Sequence, residues 1–260
     1  MNCDKTANSN IQCPKCSGYP FFDEDDRIVT YCSIECQNQH HRTHSVKCEQ
    51  YQCCRALARA ARLMQEAWLV LREHSFDHCF SNPTWDEQNR VLTLNMGRSY
   101  KLRRFDETWA WGNAQHRLLM LTVDSCTNAV QYSHNLVRAL LQDICEDVES
   151  QIIELMVLIA PDQRPIETIE EVGKAPDHET YHHILQVTLD DKSLWAIDLS
   201  GAQYGHFDAL LPWPQYEKYI AEDRIGVFAD LQDPYEETGW DPLGRHLYYD
   251  VRHASLHYLR

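Results

Sequence analysis

The sequence predicts a small cysteine-rich module followed by an α+β domain with a C-terminal β-hairpin. Three observations support this prediction: close cysteine pairs between residues 11 and 50, a helical apolar stripe after them, and alternating segments around a polar turn near residue 190. With 260 residues, 43% of them hydrophobic, the chain can bury the core of one ordinary domain besides the module. We assign residues 1–12 to a flexible tail, 13–48 to the module, 49–74 to an amphipathic linker helix and 75–260 to the α+β domain.

The composition argues against several classes of protein. A net charge of -15 disfavours direct binding of nucleic acid, because phosphates repel an acidic surface. The longest apolar stretch, Ile152 to Ala160, is interrupted by Glu154 and is far shorter than the roughly 18 residues of a membrane span. The first residues are polar and lack the apolar segment of a secretory signal. We therefore expect an intracellular protein of the nucleus or cytoplasm that does not associate with membranes.

A helix is predicted directly after the cysteine-rich module, from Gln52 to about His74. Its apolar residues recur at steps of four and three and form one stripe, which consists of Leu57, Ala61, Met64, Trp68 and Leu71. We expect this stripe to pack on the protein's own second domain. A helix that binds in the groove of a partner is the alternative interpretation.

The second domain is predicted to mix helices and strands. Helices are expected from Thr108 to Val123, from Thr127 to Asp147 and from Trp213 to Arg224. Tyr181 to Leu189 and Leu194 to Leu199 alternate on either side of a polar turn and predict the β-hairpin. Glu149 to Ile159 fits a helix or a strand, and the proline-containing segment Ala160 to Glu179 is expected to be a loop.

The module carries its cysteines in a spacing typical of zinc ligands. Three close pairs follow one another: Cys13 with Cys16, Cys32 with Cys36, and His44 with Cys48. Zinc prefers four thiolate or imidazole ligands in a tetrahedron, and a close pair can supply two of them. An odd total of 11 cysteines and the absence of a secretory signal argue against disulfide bonds, so these thiols are available to a metal.

One stretch of the module resembles the second half of a MYND zinc finger. It reads Tyr31-Cys32-Ser33-x-Glu35-Cys36-Gln37, followed by His44-x3-Cys48. That family binds two zinc ions in a cross-braced order, in which the first and third ligand pairs share one ion. By position, the resemblance implies that Cys13, Cys16, Cys32 and Cys36 form the first site. It also implies that the finger binds a protein or peptide partner.

The second site of such a finger looks incomplete here. No cysteine or histidine occurs between Ser17 and Tyr31, where the family has its second cysteine pair. His40, His44 and Cys48 would share one face of a helix and could hold a metal with a fourth ligand from elsewhere. The candidates for that ligand are Cys3, an aspartate among residues 23–26, Cys53 and Cys54. The sequence leaves open whether the finger holds one zinc ion or two.

A second constellation suggests thiol chemistry in the α+β domain. Cys126 precedes a predicted helix, whose dipole lowers the pKa of a thiol at its N-terminus. His182 and His183 lie on the first strand of the hairpin, and Asp198 lies on the second. Neighbouring strands can bring a histidine and an aspartate within hydrogen-bond reach, but alternation places the two histidines on opposite faces.

This order of cysteine, histidine and aspartate resembles that of transglutaminase-like and papain-like thiol enzymes. The resemblance implies Cys126 as nucleophile, His183 or His182 as base, and Asp198 as the residue that orients the base. A further segment, Gly201-Ala-Gln203-Tyr204-Gly205 followed by Pro212-Trp213, resembles fungal proteins that carry MYND fingers.

The sequence favours a zinc-binding adaptor over an enzyme. The expected role is protein–protein interaction through the finger, in transcriptional regulation or protein assembly, with the α+β domain as a second docking surface. A cysteine-dependent acyltransferase or hydrolase that uses Cys126, His183 and Asp198 is the alternative.

Overall fold

The structure is a computed structural model, and it describes residues 11–13, 30–142, 151–160, 165–170, 173–174 and 181–227. Two short strands, β1 (Ile11–Gln12) and β2 (Thr30–Tyr31), pair antiparallel at the N-terminal end. Helix α1 (Ile34–His74) follows directly. The module is therefore described through its strand pair, Cys13 and the first turns of α1.

Helix α1 is longer than predicted, because it begins at Ile34 and not at Gln52. Ser33 caps its N-terminus by accepting a hydrogen bond from the backbone N–H of Cys36, which starts the helix inside the cysteine-rich module. His44 and Cys48 thus lie on the same continuous helix as the apolar stripe. The assigned boundary between the module and the linker helix falls in the middle of this helix.

The apolar stripe of α1 packs on the protein's own second domain, as predicted. Its core residues Leu57, Ala61, Met64 and Trp68 are buried, and Leu71 packs beside them. They contact helix α3 (Cys126–Leu141) and one face of a five-stranded sheet. The stripe is consequently occupied within the chain.

The five-stranded sheet is antiparallel and has the order β10-β9-β8-β5-β11. Its strands are β5 (Ile152–Ile159), β8 (Tyr181–Thr188), β9 (Leu194–Ile197), β10 (Leu210–Pro212) and β11 (Ile220–Val227). The predicted hairpin is confirmed as β8 and β9, which pair from Leu185 opposite Ile197 to Thr188 opposite Leu194. One side packs on α1 and α3, and the other packs on Tyr204, Trp213 and Tyr216.

A second sheet of four strands has the order β3-β4-β6-β7. Its members are β3 (Phe76–Asp86), β4 (Val91–Arg103), β6 (Ile166–Glu170) and β7 (Gly173–Lys174). A 3₁₀ turn, Glu107–Ala110, and helix α2 (Ala114–Thr122) pack their apolar side chains into the core beside it. The fold is therefore α+β, with the predicted hairpin near its C-terminal end.

Three predicted elements differ from the observed ones. The expected loop from Ala160 to Glu179 contains β6, because Ile166 to Glu170 pair in parallel with β4, a long-range contact that local patterning does not reveal. The helix expected from Thr108 is broken at Trp111 and Gly112, both of which have positive φ. The helix expected from Trp213 to Arg224 is shorter, because one α-helical turn, Trp213–Tyr216, and a 3₁₀ turn, Glu217–Tyr219, lead directly into β11. The predicted end of α3 at Asp147 lies outside the described residues.

The stripe on α1 yields a stability prediction with a matched control. Leu57→Ala is expected to lower the free energy of unfolding by about 2–5 kcal/mol, because the leucine is fully buried and its removal leaves a cavity. Leu63→Ala on the same helix removes a side chain that is 51% exposed and should cost about 0.5 kcal/mol or less. Urea unfolding followed by circular dichroism measures both. Equal losses in the two variants would contradict the observed packing.

Candidate functional site

Cys126 is the first residue of helix α3 and is only partly buried. The chain reaches it through Asp124, whose backbone is left-handed with φ 48°, and Ser125, the N-cap residue. The Ser125 hydroxyl donates to the carbonyl of Thr122 and makes no capping bond to the helix. The N-terminus of α3 is therefore not capped by Ser125, and the thiol stands at its positive end.

His182 on strand β8 and Asp198, directly after the neighbouring strand β9, form a buried pair. His182 is fully buried, and its Nε2 atom lies 2.6 Å from Oδ2 of Asp198, the residue that directly follows β9. The Cys126 thiol contacts the same imidazole. Because Nε2 is engaged by the carboxylate, Nδ1 is the ring nitrogen that remains for the thiol, although it makes no hydrogen bond of normal geometry within the described residues. The fold thus brings together Cys126, His182 and Asp198 from three separate elements.

The pKa values of Cys126, His182 and Asp198 shift in the directions expected for a charged histidine between two anionic groups. Burial raises the pKa of the Cys126 thiol, but the neighbouring His182 side chain and the backbone N–H of His183 outweigh it and lower the pKa overall. Burial disfavours charged His182, yet the attraction of Asp198 dominates and raises the pKa of His182 to about 10. The pKa of Asp198 is held well below its usual range, against its own burial, by His182 and His206. These directions favour a thiolate beside an imidazolium.

The side chain of His183 does not face this arrangement, which distinguishes between the two histidines that the sequence left open. The sequence named His183 as a base with His182 as the other choice. In the structure, Nδ1 of His183 lies 2.8 Å from Oε1 of Glu154 on β5. Alternation along β8 sends the two imidazoles to opposite faces, and only His182 shares the face of Asp198. His182 is therefore the histidine of this site.

Asp198 is anchored by further groups that sequence reasoning missed. Tyr216 donates its hydroxyl to Oδ2 at 2.8 Å, and Nε2 of His206 lies 3.0 Å from the same oxygen. The backbone N–H of Ser200 donates to the other carboxylate oxygen at 3.0 Å. Burial and the negative charge of Asp198 raise the pKa of Tyr216 well above its ordinary value, which keeps its hydroxyl a donor. The carboxylate is consequently fixed in place.

A glycine makes room for His206 in this cluster. Gly201 begins a 3₁₀ turn, Gly201–Tyr204, and a Cβ atom added to it would lie 1.8 Å from Cε1 of the His206 ring. Gly205 ends the turn with φ 87°, a left-handed conformation that favours glycine. The turn places His206 behind the carboxylate.

The zinc-ligand candidates separate into two groups. Cys13, His44 and Cys48 are buried, and their ligand atoms all lie within 4.8 Å of one another. Cys13 leaves strand β1, whereas His44 and Cys48 lie one turn apart on α1 and point the same way. The Sγ atoms of Cys32 and Cys36, which form the other group, are 3.2 Å apart.

This grouping differs from the cross-braced assignment that the resemblance implied. That assignment placed Cys13 with Cys32 and Cys36, but the structure gathers it with His44 and Cys48. Among the described residues, this is the one group of three such side chains close enough to hold a metal ion. Cys16, Cys3 and the aspartates of residues 23–26 lie outside the described residues. Spacing identifies ligand pairs, but only the fold decides which pairs meet.

The three side chains fit a tetrahedral zinc ion. The Sγ atoms of Cys13 and Cys48 are 3.5 Å apart, near the roughly 3.8 Å expected for two thiolates at about 2.3 Å from one zinc. His40 lies outside the group: its ring stacks on His44 at 5.6 Å, and its Nδ1 lies 3.2 Å from the Tyr31 hydroxyl. His40 thus packs beside the candidate ligand His44.

Comparison with known proteins identifies the N-terminal module. Residues 1–48 match the family model of the MYND finger. No curated protein and no solved structure shows significant similarity to the chain. No helix in the described ranges is long and apolar enough to cross a lipid bilayer. The N-terminal module is thus a MYND-type zinc finger, and such fingers bind zinc and mediate protein–protein interactions.

Proposed function

We propose that the protein is a cysteine-dependent acyltransferase or hydrolase that carries a MYND finger for partner binding. The observation that supports the catalytic part is the meeting of Cys126, His182 and Asp198 in one site. A nucleophile next to a base, which a third group orients, is the arrangement that covalent acyl transfer requires.

Each of the three residues has a distinct part in this chemistry. The Cys126 thiolate attacks the carbonyl carbon of an ester, thioester or amide, and the carbonyl π electrons move onto the oxygen. When that oxyanion collapses, the bond to the leaving group breaks and the His182 imidazolium supplies a proton to it. Water or an amine then attacks the thioester, with His182 accepting its proton. Asp198 holds the ring so that one nitrogen always faces the sulfur.

Site-resolved alkylation tests the catalytic proposal. At pH 6, iodoacetamide is expected to modify Cys126 at least about tenfold faster than Cys79, a partly buried thiol outside the site, because the pKa of Cys126 is lowered. His182→Ala should abolish this difference, whereas His183→Ala should keep it. Peptide mass spectrometry of the zinc-loaded chain measures both rates. Equal rates for Cys126 and Cys79 in the unchanged protein would refute the proposal.

A non-enzymatic adaptor is the second candidate, and the finger is the observation that favours it. We propose that Cys16, three residues after Cys13, supplies the fourth ligand to the zinc ion of Cys13, His44 and Cys48. Four protein ligands leave no open position for a reacting water, so this ion has a structural role. The folded finger would bind a proline-containing peptide of a partner in transcriptional regulation.

Peptide binding with and without zinc tests the adaptor proposal. An array of proline-containing peptides should show ligands that bind the zinc-loaded protein and are lost after chelation. Cys126→Ala should bind them as well as the unchanged chain, since Cys126 is remote from the finger in sequence and belongs to the other domain. Binding that survives chelation would count against the finger as the docking site.

A further inference from the structure

Two tryptophans contact the same buried histidine beside the four-stranded sheet. The ring centroid of Trp85, near the end of β3, lies 4.5 Å from that of His116 on α2, with 44° between the ring planes. The Trp111 ring lies 5.5 Å from the same imidazole and is nearly perpendicular to it, at 86°. His116 itself is only 6% exposed. Aromatic rings from three separate parts of the chain therefore meet at one place.

Trp111 reaches the surface from an unfavourable backbone conformation. It ends the 3₁₀ turn Glu107–Ala110 with φ 48°, and Gly112 follows it with φ 72°. Bulky residues rarely adopt this left-handed conformation, which glycine adopts easily. The side chain nevertheless remains 51% exposed. Packing alone therefore does not account for a tryptophan at this position, and contact with a ligand would account for it.

A carboxylate lies beside these rings. Glu87 is exposed on the turn between β3 and β4, and its charge acts on His116. The carboxylate of Asp86 accepts hydrogen bonds from the backbone N–H groups of Gln88 and Asn89, which fixes this turn. Glu87 forms no ion pair within the part of the chain that the structure describes. Its negative charge is thus held next to the aromatic rings.

The groups around this carboxylate do not neutralise it. Burial lowers the pKa of His116, and this effect outweighs the opposite influence of Glu87, so the imidazole is uncharged at pH 7. Arg117, the next residue along α2, is already paired with Glu73 and Glu107. Indole rings beside a carboxylate attract a cation and repel an anion, and an uncharged ligand would gain nothing from the carboxylate. The chemistry of this surface therefore fits a cation.

We propose that Trp85, Trp111 and Glu87 bind the ammonium group of a lysine side chain on a partner protein, with His116 as the buried ring beneath the two indoles. The net charge of -15 favours a basic partner. A protein is the source of the ammonium group, because the chain carries a MYND finger and such fingers mediate protein–protein interactions. Methylation of the lysine should strengthen binding, since aromatic rings hold quaternary ammonium groups well. This binding site goes beyond the proposed thiol enzyme and does not depend on it.

A set of three peptides tests the preference for a cation. Their sequence is acetyl-Gly-Ser-X-Ser-Gly-amide, in which X is trimethyllysine, lysine or norleucine. Each is titrated at pH 7 into the full zinc-loaded chain, labelled with nitrogen-15, and the indole N–H signals of Trp85 and Trp111 are followed by NMR. Both signals should shift, and the trimethyllysine peptide should bind at least about fivefold more tightly than the uncharged norleucine peptide.

Two substitutions separate the aromatic contribution from the carboxylate. Trp111→Leu keeps an apolar side chain but removes the ring, and Glu87→Gln keeps the shape but removes the charge. Both residues are exposed, so the variants should fold. Each is expected to weaken binding of the trimethyllysine peptide by about three- to tenfold. Asp208→Asn removes an exposed carboxylate elsewhere on the surface and should leave the affinity unchanged.

Three results would overturn the proposal. The first is equal affinity for the trimethyllysine and norleucine peptides, or full affinity in both variants. The second is binding to phosphatidylcholine vesicles in preference to the peptides, which would make a lipid headgroup the source of the cation. The third is loss of peptide binding after zinc chelation, because β3 and α2 belong to a core that contains no candidate zinc ligand. Binding that survives chelation and follows the expected order of peptides would support the site, whatever the reactivity of Cys126.

Discussion

Cys48→Ala is expected to remove one zinc ion per chain and to unfold the finger while the α+β domain stays folded. The described core of the finger consists of Cys13, Tyr31, Cys48 and Tyr51, with Ile11 packed beside them, so two of its members belong to the three-residue group that could hold a metal. So small a core cannot offset the entropy of ordering the segment. Structural zinc supplies on the order of 10–16 kcal/mol in comparable peptides, and that contribution is lost with the ligand.

The unfolding should stop part of the way along α1. Beyond Cys54 the helix packs through Leu57 and Trp68 on α3 and the sheet, and these contacts do not depend on zinc. Hydrogen exchange is therefore expected to increase for residues 30–50 and to remain slow for residues 57–71. Mass spectrometry of the native protein counts the zinc ions in parallel.

Two further variants give this experiment its controls. Cys53→Ala changes a partly buried thiol on the same helix that is outside the three-ligand group, and it should keep both the zinc content and the exchange pattern. Cys32→Ala reports on the other cysteine pair and shows whether that pair holds a second ion. A Cys48→Ala protein with undiminished zinc content would contradict the ligand group of Cys13, His44 and Cys48.

The sequence predicts those parts of the fold that depend on local periodicity. The stripe from Leu57 to Leu71 and the alternation on both sides of Asp190 to Ser193 identify a helix and a hairpin because each pattern repeats over several residues. Strand β6 was missed, since Ile166 to Glu170 is stabilised by parallel pairing with residues 92–96, far away in sequence. Such pairing leaves no periodic signal within a five-residue segment.

The site shows the same division between local and long-range information. Cys126 and Asp198 were found because the start of a helix and the end of a strand can be recognised from local sequence patterns. The choice between His182 and His183 depends on which face of β8 meets Asp198, and that is set by the register with β9. His206 and Tyr216 had no motif of their own, and only the turn at Gly201 brings the former to the carboxylate. Which zinc-ligand pairs meet also depends on the fold, which gathers Cys13 with His44 and Cys48.

Asp198→Asn is expected to lower the rate of acyl transfer by about 10⁴-fold, by analogy with the loss of the orienting carboxylate in serine-protease triads. The attraction of Asp198 is what raises the pKa of His182, so the variant should hold a neutral imidazole and a protonated thiol near pH 7. Asp208→Asn is the control, because Asp208 is exposed on the same loop. Rates with p-nitrophenyl acetate measure the effect.

The same variant should lose stability in a defined pH window. The pKa of His182 is raised in the folded protein to about 10, so its contribution is fully present below about pH 6.5 and is lost as the pH rises through 10. The pKa of Asp198 is lowered, so its contribution is present above about pH 4 and is lost as the pH falls further. Between about pH 4 and 6.5 both contributions are complete. In this range Asp198→Asn should lower the free energy of unfolding most, by about 3–5 kcal/mol relative to the unchanged protein. Urea titrations at pH 5.5 and pH 10 measure this difference. If the stability difference were the same at pH 5.5 and pH 10, or equal to that of Asp208→Asn, His182 and Asp198 would not form a charged pair. Without that pair, nothing would stabilise a thiolate at Cys126.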